Sequence, residues 1–130
     1  MKVVVSILII FFIAGVIFSA CTWTTGGPGE LIFPEKDVTY LHHVRPFLEL
    51  NCSYSICHSE YNFAGGIALV EHHQVMWVPN FVISGNPDAS KFVQILENRV
   101  THFTRFYRGN ITENHIQGIR QWITEGAINK

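Results

Sequence analysis

Basic residues are scarce in this chain. Lys and Arg total nine against ten Asp and Glu, for a formal net charge of −1. Such a balance argues against nucleic acid as a partner, which needs a cationic face. Methionine is scarcer still: apart from Met1 there is only Met76. There are no internal repeats, and strand-like alternation is weak throughout. No Ser/His/Asp set, paired carboxylates or phosphate-binding glycine loop stands in a suitable context, so no substrate reaction is implied and the chain does not read as an enzyme. With 130 residues, barrel and dinucleotide-binding enzymes, which need ~200 residues or more, are excluded.

One long apolar run is present. Residues 3–18 (VVVSILIIFFIAGVIF) hold no charge, Lys2 precedes them, and Ser19, Ala20 and Cys21 follow. A positive start, an apolar centre and a small-residue exit read as a signal peptide over residues 1–20. The run falls short of the ~20 residues of a transmembrane helix. Phe18-Ser19-Ala20-Cys21 also resembles a bacterial lipobox, with Phe18 where an aliphatic residue is usual. That resemblance implies cleavage before Cys21 and lipidation of its thiol. The alternative is an uncleaved anchor with Cys21 an ordinary thiol. Either way the remainder is expected outside the cytoplasm on a membrane, as a periplasmic or cell-surface protein. Cleavage leaves 110 residues, enough for one core and not two. Residues 21–36 read as a flexible tether, on the Gly- and Pro-rich composition of Thr22 to Glu30.

Residues 37–130 read as an all-α domain of three main helices joined by long loops. Asp37 is expected to cap a first helix towards Leu50, with Val38, Leu41, Val44 and Leu48 as its apolar stripe and Pro46 interrupting it. Residues 59–84 read as irregular loop. Asn86-Pro87-Asp88 reads as the start of a middle helix, burying Phe92, Ile95, Leu96 and Val100. A second loop spans 101–110. Thr112 is expected to cap a last helix, lined by Ile116, Ile119 and Ile123 with Trp122 beside them and ended by Gly126. Loops this long in a small domain fit a centre filled by something other than side chains.

The chemistry concentrates in Cys52-Ser-Tyr-Ser-Ile-Cys57-His58. Haem c is usually attached at C-x-x-C-H, and here the cysteines stand two residues further apart. In such a site two thiols form thioethers with the haem vinyl groups, and the His after the second Cys becomes the proximal iron ligand. Extra residues between the cysteines can bulge outward without moving Cys57-His58. Two other readings stay open: a Cys52–Cys57 disulfide, and zinc held by Cys52, Cys57, His58 and another His, though no second ligand pair is present.

With Val44-Arg45-Pro46-Phe47, Gly65-Gly66-Ile67-Ala68-Leu69, Ser84-Gly85-Asn86-Pro87-Asp88-Ala89-Ser90 and Ile116 through Ala127 added, residues 37–128 resemble the small monohaem cytochrome c domains of bacterial exported proteins and lipoproteins. The resemblance implies one covalent haem on Cys52 and Cys57, His58 as proximal ligand, and transient redox proteins as partners. That family usually carries a Met-Pro before the last helix, and its Met is the second axial ligand. Thr101-His102-Phe103 stands in that region here. His102 is therefore the expected distal ligand, with Met76, His72 or His73, or an open position, as alternatives. Trp122, Phe92, Phe103, Phe106 and Tyr107 are candidate pocket walls, or plain core. His42, His43 and His115 are expected at the surface. The expected function is single-electron transfer. The rivals are a haem-based sensor or ligand-binding module, and a disulfide-stapled structural lipoprotein without haem.

Overall fold

A computed structural model describes residues 30–53, 57–102 and 111–130. The leader, Cys21, Phe103, Phe106 and Tyr107 lie outside the described residues. Every regular element within them is helical, and no strand occurs among them. No helix among them is long and apolar enough to cross a membrane.

The first helical segment begins with a π-helical turn, Tyr40–Val44, that runs into helix α1, Arg45–Asn51. Its cap is Thr39, whose hydroxyl accepts the His42 amide. Asp37 is not the cap. It lies at φ +58, and its amide and that of Val38 donate to the Glu125 carboxylate at 2.8 and 3.0 Å. The π turn holds one residue more than an α turn, with the Arg45 amide bonding the Tyr40 carbonyl. The next residue, Pro46, has no N–H to continue the α ladder. The extra residue rotates the buried stripe. Val38, Val44 and Leu48 are in the core as expected, but Tyr40 is buried and Leu41 is exposed.

Two short elements follow. Ala64–Gly66 is a 3-10 turn, and His72–Trp77 forms helix α2 inside the stretch expected to be loop. A capping box of Glu71 and Gln74 opens α2, and Val75 is its one fully buried residue. So short an apolar stripe gives no readable period.

Helix α3 spans Lys91–Leu96. Asn86-Pro87-Asp88 does not start it. Asn86 Oδ1 accepts the Ala89 amide, and the wholly buried Ser90 hydroxyl donates to the Asn86 carbonyl at 2.8 Å and accepts the Ile83 amide at 2.9 Å. These bonds spend the Asn-Pro segment on a turn, so the helix begins after Ser90. Val93 is buried with Phe92 and Leu96, while Ile95 and Val100 are only partly covered.

Helix α4, Glu113–Thr124, is the longest element. Thr112 caps it, Gly126 at φ +99 follows its end, and Ile119, Trp122 and Ile123 are fully buried, all as the sequence predicts. Burying each such side chain contributes about 1.5–3 kcal/mol. His115 departs from expectation: it is buried, not exposed. Its Nδ1 accepts the Thr112 amide at 3.1 Å, the part a Glu or Gln plays in a capping box, and its Nε2 donates to the Leu31 carbonyl at 2.7 Å.

That bond belongs to a strap. Asn114 clamps Phe33 through both backbone groups, its Oδ1 accepting the Phe33 amide at 2.8 Å and its Nδ2 donating to the Phe33 carbonyl at 2.9 Å. The Phe33 ring is buried against Phe47 and His115. Leu31 and Phe33, within the stretch expected to end a tether, are thus held against α4, and the compact unit runs Leu31–Lys130.

Candidate functional site

The end of α1 delivers the first cysteine. Cys52 follows Asn51 as the helix cap, its amide bonded to the Leu48 carbonyl at 2.7 Å. Its carbonyl then accepts the His58 amide at 3.0 Å, closing the loop that joins the two cysteines. Residues 54–56 lie outside the described set. The next turn folds back on the motif: the Ala64 amide donates to the Cys57 carbonyl at 3.1 Å and the Leu69 amide to the His58 carbonyl at 2.9 Å. Gly65 and Gly66, at φ +66 and +76, make this reversal in the left-handed region where other residues are strained.

The reversal places the Ile67 carbonyl 3.2 Å from His58 Nδ1. A carbonyl only accepts, so Nδ1 carries a proton and donates it to that oxygen. This is how a backbone carbonyl fixes the tautomer and aim of a metal-ligating histidine. His102 faces His58, with ring centroids 5.9 Å apart and planes inclined by 28°. Burial, and then the charge of His58, hold the His102 imidazole below its ordinary titration range, which favours its neutral, ligating form. Two imidazoles on one metal ion, at bonds of about 2 Å, have centroids about 6 Å apart. The 5.9 Å separation agrees with that spacing, so His58 and His102 are the residues that would hold a metal between them.

Cys52 and Cys57 are free thiols, Cys52 buried and Cys57 half-buried. Among the described residues, no group of three or more His, Cys, Asp and Glu is arranged to hold a metal ion, so the zinc reading finds no ligand set there. Burial, with a smaller contribution from Cys57, pushes the Cys52 thiol from 9.0 up to about 12. Burial also raises the Tyr40 phenol, helped by the charge of Glu71. Both groups keep their protons when folded. Their stabilisation is full below the unfolded values and is lost as pH rises towards the folded ones. The chain without haem should lose stability above about pH 9, by up to about 1.4 kcal/mol per pH unit for each proton. Urea denaturation at pH 8, 10 and 11 checks this, with Cys52 contributing above its ordinary 9.0 and Tyr40 above its ordinary 10.0. Blocking Cys52 as a thioether should remove its share and leave that of Tyr40.

The other candidates serve elsewhere. His72 Nε2 donates to the Ala127 carbonyl at 2.7 Å, and its ring packs on Tyr40 and Trp122. His73 and His42 are exposed, His43 is half-buried with Nδ1 accepting the Thr39 amide, and Met76 is partly buried against the core. Trp122 and Phe92 are buried, Trp122 donating to the Ile128 carbonyl and Phe92 stacking on Phe81. Sequence reading missed the Ile67 carbonyl as the partner of His58, although the Gly65-Gly66 pair marks the turn that delivers it. No protein-family model, curated protein or solved structure matches this chain.

Proposed function

We propose that the chain is a membrane-tethered monohaem c-type cytochrome that carries single electrons outside the cytoplasm. The observation that carries this reading is the His58–His102 pair, 5.9 Å between centroids, beside two free cysteines. Cys52 and Cys57 would hold the haem as thioethers and His58 would be the proximal ligand, its Nδ1 proton kept on the Ile67 carbonyl. His102 would close the other side. Bound haem would supply a one-electron couple at its iron. Histidine in place of methionine favours the ferric state, so a comparatively low potential is expected. A lipid on Cys21 would hold the domain near its redox partners and raise their effective concentration. Contacts with those partners would be small and transient.

The test is the denatured mass and visible spectrum of the chain made in a host with haem-attachment machinery. A covalent gain of one haem with sharp reduced bands is expected. A colourless protein two hydrogens lighter than its reduced form would mean a Cys52–Cys57 disulfide and would overturn the proposal.

A further inference from the structure

Four side chains close a ring of ion pairs just before His102. Glu97 follows the last residue of α3, and its two carboxylate oxygens serve different arginines, Arg99 Nε at 2.8 Å and Arg120 Nη1 at 2.7 Å. Arg120 Nη2 reaches Asp88 Oδ1 at 2.6 Å. Arg99 approaches the same oxygen at 3.9 Å and donates to the Asp88 carbonyl at 3.3 Å. Two cations and two anions thereby join the turn at 86–90, the end of α3 and the middle of α4.

The ring sits where the chain leaves α3 for the site. Asn98 turns at φ +59, and the Arg99 and Val100 amides return to the Gln94 carbonyl at 2.8 and 3.4 Å. Only Thr101 then separates Val100 from His102. An exposed ion pair alone contributes little, but a network in which each side chain orders the next is the recognised exception. Arg120 is its fixed post, because the neighbouring Ile119 and Trp122 lock α4 into the core.

We infer that Arg120 is a positioning residue for His102. Through Glu97 and Arg99 it fixes the exit from α3 and so keeps the His102 imidazole facing His58. This rests on the proposed haem reading, in which departure of His102 from the iron admits an outside ligand.

The test is the rate of carbon monoxide binding to the reduced, haem-loaded full chain. Arg120→Gln should bind about tenfold faster, because the ring no longer opposes local opening. Arg120→Lys should recover part of the difference, since an ammonium gives a charge without the fork. In the native chain about 1 M NaCl, where the screening length is about 3 Å, should speed binding towards the Arg120→Gln rate and leave that variant unchanged. A merely structural arginine would lower the melting temperature without moving the rate well below it. Equal rates in native chain and variant overturn the inference. If Arg120→Gln does not accumulate, a native rate that ignores salt overturns it equally. A chain that takes up no haem removes the haem reading and this inference with it, whereas a loaded chain with unmoved rates overturns this inference alone.

Discussion

Replacing His102 with alanine should convert a low-spin haem spectrum to a high-spin one. Of the candidate distal ligands, His102 is the one whose ring is found facing His58. Its imidazole is biased to the neutral form by burial, so it needs no proton loss to ligate at neutral pH. The change should be complete, because a methyl group cannot ligate iron. Carbon monoxide should then bind the reduced variant without waiting for a side chain to leave. The matching change at Met76 should leave the low-spin spectrum intact, since Met76 is partly buried against the core. A low-spin spectrum that survives His102→Ala sinks the assignment. A native protein that is already high-spin would favour the sensor reading, which requires an open sixth position.

The second large effect concerns a glycine with no metal ligand beside it. Gly→Ala within a helix ordinarily gains about 1 kcal/mol. At position 118 of α4 the sign should reverse. A Cβ there would fall on the Cβ, Cγ and Cδ1 atoms of Phe33, which is itself buried. Either the ring leaves or the helix moves. Removing a buried phenylalanine costs about 3–5 kcal/mol, so Gly118→Ala should lose roughly 2–4 kcal/mol net in urea denaturation. The cost should shrink in a Phe33→Ala background, where only the Cβ contact remains, and disappear in Phe33→Gly, which removes the Cβ as well. Additive effects of the two substitutions would show that Phe33 is not what Gly118 accommodates.

Legibility in the sequence followed sequence distance. Helix α4 could be read from Thr112, Gly126 and the isoleucine spacing because caps and periods are local signals. The first helix takes a different cap from the one its sequence points to because Asp37 is drawn to Glu125, 88 residues away. Its stripe departs from the sequence period at Leu41 because a π turn has no periodic signature of its own. The burial of His115 is hidden from the sequence for a similar reason: the carbonyl it serves is 84 residues earlier. In the candidate site Cys52, Cys57, His58 and His102 stand out in the sequence as residue types that could hold haem. The groups that position them do not. A backbone carbonyl at Ile67 and a ring of charges around Arg120 depend on where the chain returns, and no window of sequence contains that.

The strap over α4 also bears on the order of folding. Its hydrogen bonds to Asn114, His115 and Glu125 span 81 to 88 residues, so they belong to the slow, non-local class of contacts. These hydrogen bonds of residues 31–38 have no partners until the last helix and its end exist. Cys52 lies between these ends in the chain and is buried in the finished fold. Any enzyme or reagent that must reach its sulfur therefore has the interval before closure in which to act, and afterwards only the rare opening of the finished fold.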